Sequence, residues 1–153
     1  MCSWTTARCP VPAWSAADTA LANQYIRGLE QNPEYGRVLE LLWKLYDDCG
    51  QTRLLLQYFE EAAKPEGAQA ARIIHGHLLR RKGNNDQALE QYRTILATAP
   101  GLPVVLRSVA EILREEGDAA GALESATGWQ AATKAGAPEW VAAGLLRADL
   151  LRN

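Results

Sequence analysis

The sequence predicts an all-α protein, and three observations support this prediction. Apolar residues recur at helical spacing along nearly the whole chain, and no segment alternates apolar and polar residues long enough to indicate a strand. Glycine and proline, which commonly end helices, interrupt this pattern repeatedly. All seven prolines lie in the first fourteen residues or at a predicted helix boundary. We therefore expect short helices joined by tight turns.

The first predicted helix begins after Ser15. Ser15 and Asp18 have the spacing of a capping box, in which each side chain accepts a hydrogen bond from the other residue's backbone N–H. Pro33 ends this helix because proline lacks the backbone N–H that would continue it. Residues 1–14 are too poor in consecutive apolar side chains to form a signal-peptide core, and we predict an irregular leader.

A second apolar helix is predicted over about 35–49, where Gly50 ends it. Six further helices are predicted between the remaining glycine and proline residues, over about 52–64, 68–82, 85–98, 103–116, 118–134 and 138–151. A chain of 153 residues suits one domain. We therefore predict a single helical repeat domain over 15–153.

The glycines that end helices recur at a nearly constant interval. Gly50, Gly83 and Gly117 are separated by 33 and 34 residues, and Ala88 and Ala122 are separated by 34. Small residues also share one column before the turns, at positions 76, 110 and 144. A fixed period of this length indicates an internal structural repeat.

The segment 71–100 resembles the tetratricopeptide repeat. The resemblance is carried by small, aromatic and turn residues at Gly76, Gly83, Ala88, Tyr92 and Pro100. At the position equivalent to the aromatic Tyr92, the following unit has Ala126 and the preceding unit has Phe59. At the position equivalent to the small Ala88, the preceding unit has Leu55. The similarity extends over about 16–151, with repeats at about 36–68, 69–102, 103–136 and a partial unit at 137–153.

The resemblance implies a right-handed superhelical solenoid of antiparallel helix pairs. Small residues let paired helices approach closely, and stacking of several pairs builds a continuous core. The family resemblance also implies a non-enzymatic scaffold or adaptor that binds a peptide or protein segment in the concave groove. The chain contains no glycine-rich phosphate loop, Gly-x-Ser-x-Gly motif or His-Glu-x-x-His motif, so we predict no catalytic site, cofactor or metal.

The first helix of each unit would line the inner surface of such a solenoid. The groove residues predicted on this basis are Arg37, Lys44, Ile73, His77, Arg80, Arg81, Arg107, Glu111 and Arg114. Their arginines and apolar side chains would suit an acidic partner segment with one or two apolar anchors. The alternative is that the arginines pair with Glu111 and Glu115 and form only a solvated face.

The two histidines lie two positions apart on one predicted helix, so they point to different faces and cannot hold one metal ion together. His75 falls at a core column and is predicted to be buried. His77 falls at a groove column and is predicted to contact a ligand.

The last predicted helix has apolar side chains around nearly its whole circumference, so it lacks a solvent face. We infer that a partner helix is missing, supplied by a longer parent chain or by a second copy. Self-assembly through Trp140, Leu146 and Leu150 is therefore the alternative to groove binding.

Charge and apolar content exclude other classes. Sixteen basic and eighteen acidic residues give a net charge of −2, which disfavours nucleic acid and membrane surfaces and argues against a third hypothesis, an RNA-binding repeat. No apolar run approaches the roughly 20 residues that a membrane span needs. The sequence does not determine the compartment. The chain as written is expected in the cytoplasm, whereas a truncated N-terminus would allow a periplasmic or secreted protein.

Overall fold

A computed structural model describes residues 14–152. This region is helical throughout and contains no strand, which confirms the all-α prediction. Its helices are α1 Ala16–Gln31, α2 Arg37–Asp47, α3 Thr52–Ala62, α4 Gln69–Lys82, α5 Asn85–Thr98, α6 Pro103–Glu115, α7 Ala119–Ala132 and α8 Pro138–Arg152. The predicted helices are all present, with ends that agree to within about two residues. The predicted leader lies outside the described residues except for Trp14.

The chain divides into two compact units, Met1–Leu78 and Leu79–Asn153, and the boundary falls within α4. In the first unit α1 packs on α2, and α2 packs on α3. In the second unit α5 packs on α6, α6 on α7, and α7 on α8. The helices α1–α3 and α5–α8 therefore each pack against a neighbour in the sequence.

The start of α1 forms the predicted capping box. The Ser15 hydroxyl oxygen accepts a hydrogen bond from the backbone N–H of Asp18, and the Asp18 carboxylate accepts one from the backbone N–H of Ser15, both at 3.1 Å. Trp14 then packs edge-on against the buried Tyr46 ring, with 4.6 Å between centroids, and its indole N–H donates to the Cys49 sulfur at 2.9 Å. These contacts fix the beginning of α1 against the end of α2.

Three glycines in the turns that follow α2, α4 and α6 have the same backbone geometry. Gly50, Gly83 and Gly117 have φ angles of 65°, 92° and 85°, in the left-handed region that favours glycine. Each glycine N–H donates to the carbonyl three residues earlier, and the next N–H donates to a carbonyl five residues earlier, at 2.8–3.1 Å. This pattern is the Schellman motif, which satisfies carbonyls that the end of a helix would leave unpaired.

The residues at fixed offsets after these turns are all buried. Five residues after each glycine stand Leu55, Ala88 and Ala122, and all three are fully buried. Nine residues after each glycine stand Phe59, Tyr92 and Ala126, which are fully buried as well. The periodic columns found in the sequence therefore occupy equivalent interior positions.

Helix α4 is buried on nearly all sides. Every residue from Ile73 to Leu79 is buried. At its N-terminal side the Arg72 guanidinium donates to the carbonyl oxygens of Ala63 at 2.9 Å and Pro65 at 3.1 Å. These hydrogen bonds satisfy carbonyls beyond the end of α3.

Replacing Gly117 tests the turn geometry. We expect Gly117→Ala to lower the free energy of unfolding by about 1–2 kcal/mol, because a Cβ atom is unfavourable in the left-handed region. Urea unfolding followed by circular dichroism measures this change. Gly101 is the matched control because it is exposed and has no positive φ, so an added Cβ meets no neighbouring atom. Equal losses for Gly117→Ala and Gly101→Ala would contradict the assignment.

His75 predicts a pH-dependent contribution to stability. Burial lowers the pKa of His75 below its usual 6.5, and this outweighs the opposing attraction to Glu60. As pH falls, the His75 imidazole therefore becomes protonated near pH 6.5 in the unfolded chain and only at a lower pH in the folded chain. We expect stability to fall as pH decreases below 6.5, by at most about 1.4 kcal/mol per pH unit from this group.

The measurement is the free energy of unfolding by urea between about pH 7 and pH 5. The variant His75→Gln should have a shallower pH slope over this range than the natural chain. An unchanged slope would show that His75 does not contribute.

Candidate functional site

A cluster of ion pairs occupies the surface predicted to bind an acidic partner. It consists of Arg80, Arg107, Glu111 and Glu115, and we call it the α6 ion-pair cluster. Arg80, in the last turn of α4, donates to the carboxylates of Glu111 at 2.9 Å and Glu115 at 3.1 Å. Only 10% of the Arg80 side chain is exposed. This arginine is therefore held inside the cluster and does not project into solvent.

Arg107 completes the cluster from one turn before Glu111. Its Nε–H donates to the second carboxylate oxygen of Glu111 at 2.9 Å, and its guanidinium carbon lies 5.6 Å from the Trp129 ring centroid. That distance permits a cation–π interaction between α6 and α7. Half of the Arg107 side chain remains exposed.

Glu111 is the central acceptor, with each of its oxygens paired to a different arginine. Burial raises the pKa of Glu111, but the hydrogen bonds and positive charges of Arg107 and Arg80 outweigh burial and lower the pKa below its usual 4.5. The carboxylate is therefore ionised at neutral pH. The pairing of arginines with Glu111 and Glu115 that the alternative expected is observed for Arg80 and, through Glu111, for Arg107, although Arg80 is not solvated.

The other predicted groove residues of this unit are more accessible. Arg81 and Arg114 are both exposed. Arg114 has no ion-pair partner among residues 14–152. It lies seven residues after Arg107, two turns further along the same side of α6. Arg107 and Arg114 therefore present two cationic groups along one helix.

Two predicted groove residues of the first unit lie in the interior, so their predicted exposure to a ligand is wrong. Ile73 is 3% exposed and His77 is fully buried. His77 Nε2 lies 3.0 Å from the carbonyl oxygen of Pro33, and the Tyr35 ring packs against the imidazole edge-on at 5.5 Å. The segment between α1 and α2 therefore covers the side of α4 that the sequence assigned to the groove. The burial predicted for His75 is confirmed.

The remaining groove residues of the first unit lie on α2. Arg37 is exposed at the first position of this helix, and Lys44 is exposed 3.7 Å from the Asp48 carboxylate. Exposed ion pairs of this kind contribute little to stability. Both side chains are accessible, and their assignment to a binding surface stays a prediction.

The exposed apolar residues of α8 differ from those assigned to self-association. Trp140, Leu146 and Leu150 are only partly exposed. By contrast, Val141 is 46% exposed and Leu145 is 67% exposed. Helical periodicity could have separated the two groups, because Ala143 lies on the opposite side of α8 and is fully buried.

Polar contacts hold α8 against α7. The Gln130 carboxamide donates to the Trp140 carbonyl oxygen at 3.4 Å and accepts a short hydrogen bond from Arg147. A Cβ atom added at Gly144 would lie only 2.8 Å from Gln130 Nε2, so glycine allows this close approach. These contacts fix which side of α8 faces α7.

An open cleft of about 670 Å³ lies between α1 and α2. Its lining includes Asn23, Arg27, Gln31 and Val38. Among residues 14–152 no group of three or more His, Cys, Asp or Glu side chains could hold a metal ion. Within the same region none of the helices has the length and apolar character needed to cross a membrane.

Comparisons with protein-family models, with curated proteins and with solved structures found no match to this chain. The function is therefore inferred from the residues and their geometry.

The ion-pair cluster predicts that Arg80 stabilises the fold. We expect Arg80→Met to lower the free energy of unfolding by about 1–3 kcal/mol, because it removes charge-assisted hydrogen bonds from a half-buried carboxylate. Urea unfolding at neutral pH measures this loss. The exposed Arg93 on α5 provides the control, and Arg93→Met should change stability by less than about 0.5 kcal/mol. A loss no larger than that of the control would show that the cluster contributes no stability.

Proposed function

We propose that this chain is a non-enzymatic helical-repeat scaffold that binds an acidic protein segment. The proposed architecture is a tetratricopeptide-like stack of antiparallel helix pairs in a right-handed superhelix. The supporting observation is the repeated turn. Gly50, Gly83 and Gly117 recur at 33 and 34 residues with the same backbone hydrogen bonds, and the residues that follow at equal offsets are buried. Repeat architectures of this kind provide extended binding surfaces.

The proposed binding surface is the exposed side of α6. Arg107 and Arg114 are seven residues apart, which corresponds to roughly 10 Å along a helix. A partner helix could place two carboxylates at this separation from positions i and i+7. Arg114 is the better anchor because it has no competing carboxylate among the described residues, whereas Arg107 shares Glu111 with Arg80. We therefore assign acidic recognition to Arg114 first.

A second candidate function is self-assembly through the end helix. It is favoured by the exposed apolar side chains on α8, because large apolar groups on a surface commonly mark a contact with another molecule. This candidate does not need the arginines of α6.

Peptide selection tests the binding proposal. A random peptide-display library would be selected on the immobilised chain, and the affinity of the selected peptides would be measured by fluorescence polarisation. We expect the selected peptides to be enriched in Asp and Glu. We expect Arg114→Glu to weaken their binding at least about tenfold, because it replaces a charge-assisted hydrogen bond with a like-charge repulsion.

Arg93→Glu on α5 is the matched control because it makes the same charge change at an exposed position outside the proposed surface. It should leave the affinity within about twofold of the natural chain. Peptides without acidic enrichment, or equal affinities for both variants, would overturn the proposal.

A further inference from the structure

We propose that the cleft between α1 and α2 binds a short extended peptide segment with an Asp or Glu near its middle. This site lies in the first unit and uses none of the α6 arginines. It is therefore a second binding site, and it does not depend on the function proposed above.

The polar side chains of the cleft are available to a ligand. Three carboxamides and one guanidinium line it, from Asn23, Gln24, Gln31 and Arg27. None of these four side chains forms a hydrogen bond or an ion pair with another group in residues 14–152. A carboxamide both donates and accepts hydrogen bonds, as a peptide group does. The cleft therefore suits a ligand with unpaired backbone N–H and C=O groups.

Arg27 determines the charge of the ligand. It is exposed, and it is the only charged residue among the described residues that line the cleft. Glu30, three residues later, attracts Arg27 electrostatically but lies outside the lining and forms no ion pair with it. A guanidinium can engage a carboxylate through two parallel N–H donors. A carboxylate is therefore the ligand group that Arg27 would recognise.

The length of the cleft favours a linear ligand. Its lining follows α1 from Ala20 to Gln31, eleven positions later, which corresponds to about 16 Å along a helix. An extended chain advances about 3.3 Å per residue, so roughly five residues would span this length. Arg27 lies near the middle of the lining, between Gln24 and Gln31. The acidic residue is therefore expected near the middle of the bound segment.

Gly28 keeps the cleft open. A glycine within a helix is less favourable than an alanine, so its presence in α1 calls for a reason. The backbone does not require it, because its φ is not positive. Close packing does not require it either, because an added Cβ would lie 3.8 Å from Val38 Cγ1, an ordinary contact. A larger side chain at this position would occupy the space that the peptide needs.

A nuclear magnetic resonance titration of the ¹⁵N-labelled full chain tests this site. The chain carries Arg114→Glu, so that the proposed α6 surface does not compete for the ligand. The probes are two libraries of acetylated and amidated pentapeptides, with Glu or Gln fixed at the central position and uncharged residues elsewhere. We expect the Glu library to shift the side-chain NH₂ signals of Asn23, Gln24 and Gln31. It should bind at least about tenfold more tightly than the Gln library, because only its carboxylate forms charge-assisted hydrogen bonds.

Variants of α1 separate the contribution of charge from that of space. Arg27→Gln should remove the preference for the Glu library. Arg53→Gln removes the same charge at an exposed position of α3 and should leave the preference within about twofold of its original value. Gly28→Leu should abolish binding by filling the cleft, whereas Gly28→Ala should retain it. Circular dichroism of each variant shows whether it keeps the helical fold.

Several results would overturn this site. Equal binding of the two libraries, or shifts confined to signals outside the cleft, would exclude an acidic peptide there. Sodium acetate that shifts the same signals as strongly as the Glu library would show that the cleft takes a carboxylate alone. Equal shifts on concentrating the chain without peptide would show that a second copy fills the cleft. None of these results bears on Arg114, which the peptide selection tests separately.

Discussion

The left-handed glycine turn is the constraint on which the rest of the structure depends. At Gly50, Gly83 and Gly117 the chain reverses over very few residues while the carbonyls at the end of each preceding helix remain hydrogen-bonded. After Gly50 and Gly117 the next helix packs against the previous one, α3 on α2 and α7 on α6. The residues after each turn then enter the interior at the same offsets, which explains why fully buried columns recur along the chain.

Helix α4 shows how a basic, apolar-rich segment is accommodated in the interior. Its polar side chains are directed to specific acceptors: Arg72 to carbonyl oxygens beyond α3, His77 to the Pro33 carbonyl and Arg80 to two carboxylates. A buried polar group without a partner would cost several kcal/mol, so these acceptors allow the helix to be covered on nearly all sides. The same pairing reduces the positive charge available to a ligand near α6, and it leaves Arg114 as the more accessible cation.

The sequence was sufficient to predict where the helices begin and end. It was not sufficient to predict which side chains other segments bury. Helix ends followed from Ser15 and from the glycines and prolines, because capping and turn chemistry are local. The exposure assigned to Ile73 and His77 was wrong because a helix that is apolar on several sides does not indicate which side a distant segment covers, and Pro33 is 44 residues from His77. Arg80 could have faced solvent or paired with glutamates, and only the distances distinguished these alternatives.

The interior position of both histidines affects how the molecule responds to its surroundings. The chain has only two histidines, and both are buried. No surface imidazole is therefore available to change the electrostatic potential of the exterior under mildly acidic conditions, where carboxylates are still mostly ionised. Across that range the forces between neighbouring molecules in solution should depend more on dissolved ions, which screen the fixed exterior charges, than on acidity.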